Sequence, residues 1–283
     1  MKMIAPGLVC LSVSAWGADH RDKFKLEDRQ VFEQRYTGVR KLLVDTTHGF
    51  VHVTAGHGND VVVKVAQTIR AESPEALAEG KAKVKLDVNQ QSSFLRLYVE
   101  APWRNTEGGM NYRGTHYYGY EPAYDSEIQV PRKIDVTLRT VNRGDIKLIG
   151  TDGEFDIKSL NGPIVMDDVA GFGSVSTLNG GLKVNLRSNP TNPTSFKTFN
   201  GSVNVYFQPS LNADLRFKTF NGSVYTDFDV TARTEASKDF VERKDGRFVF
   251  RTNRSQVGTV GKGGPELSFE TFNGSIRLHT VGK

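Results

Sequence analysis

Five carboxylates lie close together near the middle of this chain. Asp152, Glu154 and Asp156 alternate along one short stretch, and Asp167 and Asp168 follow as a pair. Two carboxylates held apart across a groove are what glycoside hydrolysis needs, one as acid and the other as base or nucleophile. Sequence does not place any two of these on one face, and acidic turns are an ordinary surface feature. His48, His52 and His57 form a second cluster. His48 and His52 share strand parity, so the three could gather a metal, although exposed strand histidines are commoner. No phosphate loop, Ser-His-Asp spacing or calcium-loop pattern is present. The expected reading is therefore not an enzyme, with no catalytic residue, no metal and no cofactor.

Aromatic residues offer a different chemistry. Between Ala101 and Tyr124 stand Trp103, Tyr112, Tyr117, Tyr118, Tyr120 and Tyr124 among glycines and polar residues. No apolar period runs through them, so the stretch reads as a long loop, and long loops within domains often carry function. Exposed Tyr and Trp present flat faces suited to sugars or protein partners. The plainer alternative is a loop folded over one face with its rings buried.

The element that must position these groups is a phrase, Thr-Phe-Asn-Gly-Ser-Val, at Thr198–Val203 and Thr219–Val224, repeated with Ile at Thr271–Ile276. Looser copies begin at Thr177, Ser159 and Thr140, the last with Arg143 slipped between Asn and Gly. The glycines fall at 144, 162, 180, 201, 222 and 274, a period near twenty that marks a stacked repeat. Four residues before each Asn sits Leu138, Ile157, Val175, Phe196, Phe217 or Phe269, and apolar pairs two apart follow most glycines. Such alternation reads as strand, and Asn-Gly as a sharp corner. The corners are Asn161-Gly162, Asn179-Gly180, Asn200-Gly201, Asn221-Gly222 and Asn273-Gly274. A hairpin reading of Asn-Gly gives a meander, but a hairpin has no reason to repeat the residues before the turn. The expectation is an all-β fold, a β-solenoid of single-stranded coils, with one short helix near 74–83 capped by Ser73 and begun by Pro74.

Met1–Ala18 reads as a secretory signal, with Lys2, an apolar run and Ala15-Trp16-Gly17 as the cleavage site. A buried N-terminal strand is the alternative. Cys10, the single cysteine, lies inside this segment. A mature chain would then have no disulfide, thiolate metal site or cysteine nucleophile. The formal charge is +5, and loss of Lys2 makes it one less, a mild bias that suits an anionic surface. Nucleic acid binding is not expected of an exported chain of this charge, and the mature chain should have no membrane span. The divisions are 1–18, signal; 19–35, charged spacer or edge; and 36–283, the repeat domain. Within that domain lie the Tyr-rich loop at 101–124 and an irregular insertion at 229–265.

Ile128-Gln129-Val130-Pro131, followed by alternating apolar residues and serial Asn-Gly corners, resembles the bacterial putative adhesin family of repeat-built envelope proteins. The resemblance runs from about Tyr36 to the C-terminus and is strongest over Glu127–Phe228 and Glu266–Leu278. It implies a β-solenoid-like fold, export to the periplasm, cell surface or medium, and no established enzymatic activity. The family carries no agreed functional residues. Departures are the Tyr-rich loop, Arg143 and the long interval between Gly222 and Gly274.

Two further columns follow from the repeat. One residue before each Asn come Val141, Leu160, Leu178, Phe199, Phe220 and Phe272, expected to turn inward at the corner. Three residues before each Asn come Arg139, Lys158, Ser176, Lys197 and Lys218, with Glu270 in the final copy. If copies stack in chain order, Lys197 and Lys218 are adjacent and repel. Arg139, Lys158, Lys197 and Lys218, with Trp103, Tyr112, Tyr117, Tyr118 and Tyr120, are the candidate binding residues. Their partner would be a glycan, an anionic envelope polymer or another envelope protein. A structural or envelope-stress accessory role is the alternative reading, and a β-helix carbohydrate-active enzyme a third.

Overall fold

Period-two alternation becomes 22 strands among the described residues. The structure is a computed structural model that describes residues 23–104, 118–142, 144–232, 240–244, 247–251 and 256–282. The signal segment, Tyr112, Tyr117 and Arg143 lie outside the described residues. Strands β1 (Leu26–Tyr36), β2 (Lys41–Asp45), β3 (Val51–Ala55) and β4 (Val61–Ala71) precede the one helix, α1 (Pro74–Lys83). Then come β5 (Lys85–Gln91), β6 (Phe94–Glu100), β7 (Tyr120–Val130), β8 (Asp135–Thr140), β9 (Ile146–Ile149) and β10 (Asp152–Asn161). The middle of the chain holds β11 (Ile164–Asn179), β12 (Leu182–Leu186), β13 (Thr194–Asn200), β14 (Val203–Phe207) and β15 (Ala213–Asn221). Last are β16 (Val224–Thr226), β17 (Val230–Ala232), β18 (Phe240–Lys244), β19 (Arg247–Arg251), β20 (Gln256–Val260), β21 (Glu266–Asn273) and β22 (Ile276–Thr280).

Hydrogen bonding joins these into two runs. One is β1-β4-β7-β3-β9-β11-β12-β14-β22-β16-β19-β18. The other is β5-β6-β2-β8-β10-β11-β13-β21-β15-β20-β17. The 16-residue β11 belongs to both. Its pairing with β12 shifts between Met166 and Val169, and Asp168 takes a φ of 52°, so the strand bends from one run into the other. The result is one nearly closed, barrel-like sheet of mixed strand orientation.

That arrangement corrects the β-solenoid expected from the repeat. A solenoid needs coils laid down parallel and in chain order. Here β4 is antiparallel to both β1 and β7, and β5 to β6. At the other end β19 and β20 pair antiparallel with β16 and β15. Chain order fails too: β2 lies between β6 and β8, β3 between β7 and β9, and β21 between β13 and β15. Helix α1 lies where expected. The Ala76 N–H donates to the Ser73 hydroxyl at 3.2 Å, and Lys81 and Lys83 occupy the last turn, favourable for the helix dipole. Gly80 lets the helix settle on β4 and β7, since a Cβ there would come within 2.9 Å of the Tyr120 ring.

Inward-facing residues stack between the two runs. Leu138, Ile157, Val175, Phe196, Phe269 and Phe217 form one buried column in that spatial order. Phe269 stacks on Phe196 and on Phe217, with ring centroids 5.4 Å apart in each case. Across from them Ile146, Ile164, Leu182, Val203, Ile276 and Val224 are buried as a second column. Each fully buried side chain of this size contributes about 1.5–3 kcal/mol relative to exposure.

Candidate binding surface

The corners follow from four residues in turn. In Thr198-Phe199-Asn200-Gly201 the Thr side chain points inward and its hydroxyl donates to the carbonyl of Gly180 at 2.7 Å. Thr177, Thr271 and Thr219 make the same bond to Gly162, Gly201 and Gly274 at 2.9, 2.9 and 3.1 Å. Thr140 reaches the carbonyl of Gly49 at 3.2 Å, so Gly49 stands in the column beside Gly144. Each hydroxyl thereby gives an inward-facing polar group a partner.

Asn follows in the extended strand, not in the left-handed region where a turn would place it; Ser92 and Asp168 are the positive-φ residues other than glycine among the described residues. What the corner uses is its amide. Asn161 Nδ2 donates to Asn142 Oδ1, Asn179 to Asn161, Asn200 to Asn179, Asn273 to Asn200 and Asn221 to Asn273, all at 2.7–2.8 Å. The result is a continuous amide ladder. Gly is required at every corner for close approach, and at Gly201 and Gly274 for a positive φ as well. A Cβ on Gly162, Gly180, Gly201, Gly274 or Gly222 would run into the carbonyl of Gly144, Gly162, Gly180, Gly201 or Gly274 respectively.

The residue between Thr and Asn faces outward, which corrects the expected inward turn. Leu178, Phe199, Phe272 and Phe220 are 41, 45, 38 and 54 % exposed and succeed one another across the sheet, after half-buried Val141 and Leu160. Strand parity accounts for this: with Phe196 and Thr198 inward and no bulge between them, Phe199 must point out. The rings of Phe199 and Phe272 lie 4.8 Å apart at 3°, and those of Phe220 and Phe272 4.7 Å apart at 5°. Stacked in this way, Phe272 has both faces covered and Phe199 and Phe220 one each, and the row turns its C–H edges outward.

The basic row runs beside this ridge on the same outer face, two residues earlier on each strand. Its order differs from expectation, because β21 places Glu270 between Lys197 and Lys218. Glu270 lies 3.8 Å from Lys197 and 3.0 Å from Lys218. The expected lysine–lysine repulsion is thus replaced by two ion pairs. Arg139 and Lys158 approach Asp156 at 3.6 and 3.2 Å, and Asp156 also accepts from the Ser174 hydroxyl at 2.8 Å. Burial pushes the Asp156 carboxyl up, but the bonds from Ser174 and Lys158 and the charges of Lys158 and Arg139 outweigh it and hold the pKa below 3.8.

The remaining candidates lie elsewhere. Trp103, Tyr118 and Tyr120 pack as a tilted cluster, Trp103 and Tyr118 with centroids 5.2 Å apart, against the core at the β6–β7 end of the molecule. Tyr120 is buried, and burial raises its hydroxyl pKa to about 12. These aromatics pack on the core, whereas the basic row lies on the outer face. Arg104 anchors the start of that loop, bonding Asp45 at 2.5 Å and lying 4.2 Å from the centre of the Tyr98 ring. Asp152 and Asp168 pair with Arg187, and Asp168 also with Arg132. His52 bonds Asp145 at 3.1 Å and stacks on Phe50, while His48 Nε2 lies 3.5 Å from the Asn142 amide at the end of the ladder. Among the described residues no three His, Cys, Asp or Glu side chains converge as a metal site, and no helix is long and apolar enough to cross a membrane.

No family model matches the chain, and no curated protein matches it. Solved structures that resemble it include a putative cell adhesion protein from Clostridium sporogenes, 13 % identical, covering 89 % of this chain and 100 % of that one at a TM-score of 0.36. A putative adhesin from Bacteroides fragilis is 9 % identical, covering 90 and 97 % at a TM-score of 0.41. A putative lipid binding protein from Parabacteroides distasonis is 8 % identical, covering 90 and 95 % at 0.28. Likeness at this distance does not establish a shared family.

Proposed function

We propose that this chain is a non-catalytic, exported binding module of the cell envelope or cell surface, adhesin-like in use, and that its partner is an envelope component. The observation that carries this reading is the outward column Leu178-Phe199-Phe272-Phe220. Large apolar side chains in contiguous register on a solvent face mark interaction sites more often than chance surface residues do. Of the acids that could have served hydrolysis, Asp152, Asp156 and Asp168 are engaged with Arg187, Arg132, Arg139 and Lys158, and Asp167 accepts from the Asn185 amide. Co-sedimentation of the protein with isolated bacterial envelopes tests the reading. Wild type should pellet with them, and Phe199→Ser/Phe220→Ser/Phe272→Ser should stay in solution while its β-sheet circular dichroism is retained. Wild type that stays in solution, or a triple variant that pellets equally, would overturn it.

A further inference from the structure

We propose that the Phe ridge docks on an anionic lipid surface, its ring edges entering the acyl boundary while Arg139, Lys158, Lys197 and Lys218 meet the headgroups. This deepens the binding-module reading and rests on it. Three features of the ridge select this occupant.

The first is ring orientation. Sugars and nucleobases stack on aromatic faces, but Phe272 has both faces covered, by Phe199 and Phe220 at interplanar angles of 3 and 5°, and each of those rings has one face covered in turn. What protrudes is a row of apolar edges in line with Leu178, suited to hydrocarbon. The second is the cost of drying the neighbouring corner. Beyond the Phe column the Asn amides are bonded to one another along the ladder. From Gly162 onward the corner glycines are followed by Pro163, Gly181, Ser202, Ser275 and Ser223, none of them charged; Asp145, after Gly144, lies beyond the exposed part of the ridge and pairs with His52 and Lys147. A ridge without charges on that side can leave bulk water at little penalty.

The third is charge. On the other side of the Phe column four cations face two carboxylates, Asp156 and Glu270, leaving a positive excess. Apolar groups beside basic ones are the composition of surfaces that lie in an anionic membrane interface. The same excess disfavours a second copy of the chain on this ridge, since a two-fold contact would set like charges against each other. Successive strands lie about 4.8 Å apart, so the row from Leu178 to Phe220 extends about 14 Å. That is well short of the roughly 30 Å hydrocarbon core, so the row would rest on a membrane and not span it.

The test uses the full protein with vesicles of phosphatidylcholine alone and of phosphatidylcholine with phosphatidylglycerol. Binding should require the anionic lipid and weaken as salt is raised. The Phe199→Ser/Phe220→Ser/Phe272→Ser variant should bind more than about tenfold more weakly, in keeping with loss of buried apolar surface. Phe220→Trp supplies a readout independent of folding defects: the indole emission gained at this position should be quenched by lipids brominated on the acyl chain. No vesicle binding by wild type, or emission from the Phe220→Trp variant untouched by brominated lipid, would overturn the proposal. If wild type still pelleted with bacterial envelopes through the same ridge, the binding-module reading would survive and its partner would be a protein or polysaccharide.

Discussion

Two columns of phenylalanine run side by side through this molecule and meet opposite fates. Phe196, Phe269 and Phe217 are buried at 0, 1 and 2 % exposure; Phe199, Phe272 and Phe220, three residues further along the same strands, are 45, 38 and 54 % exposed. Both columns are stacked in the same strand order and neither differs in residue type. What separates them is parity alone, since an odd step along a strand changes face. The inner column is therefore a stability element, and the outer one is surplus to the core and available to a partner.

Truncation should break the comparison most sharply. Phe269→Ala, which removes the middle ring of the inner stack, should cost about 3–5 kcal/mol in a denaturant melt. Phe272→Ala, the middle ring of the outer stack, should cost about 1 kcal/mol, the value of exposed cross-strand aromatic pairs. Equal losses would mean that both columns serve folding and that the ridge is not free. Next in size is Gly201→Ala. Its Cβ would press on the Gly180 carbonyl and its φ of 154° is one that L side chains rarely adopt, so about 2–3 kcal/mol should be lost. A melt matching wild type would show that the corners do not approach as closely as described.

Smaller again is Asn273→Ala, which removes the amide that bonds both Asn200 and Asn221. A loss of about 1–2 kcal/mol is expected from two exposed hydrogen bonds. The least effect concerns the charges beside the ridge. Asp156 has a folded pKa below 3.8, so its contribution is present above the unfolded value and is lost as pH falls through the lower folded one. Asp156→Asn should therefore be less stable than wild type near neutral pH by about 1 kcal/mol or less, given its partial exposure. The difference should close in strong acid, as urea midpoints across a pH series would show.

The Thr-x-Asn-Gly phrase is legible as a corner, but the chemistry of the corner is not. Asn was expected to bend the chain, whereas it stays extended and its amide makes the ladder. Gly201 and Gly222 are both held to glycine by a neighbouring carbonyl, and Gly201 has a positive φ as well. The basic row was legible as residues and not as a site, because the strand lying between Lys197 and Lys218 comes far later in the chain than either. The Tyr-rich stretch illustrates the same limit: expected as loop throughout 101–124, it enters β7 at Tyr120, where Tyr120, Pro122 and Tyr124 alternate inward, and only packing against the core shows Trp103, Tyr118 and Tyr120 to be a cluster.

By itself the sequence determined the strands around the corners, the helix at Pro74–Lys83, the corner spacing and the inner column, because alternation, capping and the Asn-Gly steps are local properties. Only the tertiary structure decided which strands become neighbours, that antiparallel strands close off both ends, and that one column of phenylalanine stays outside. The physical reason lies in the repeat itself. Copies that share Thr, Asn and Gly offer one another interchangeable ladders, so local residues cannot choose among them. The choice falls to contacts distant in sequence, such as Glu270 pairing with a lysine on either side.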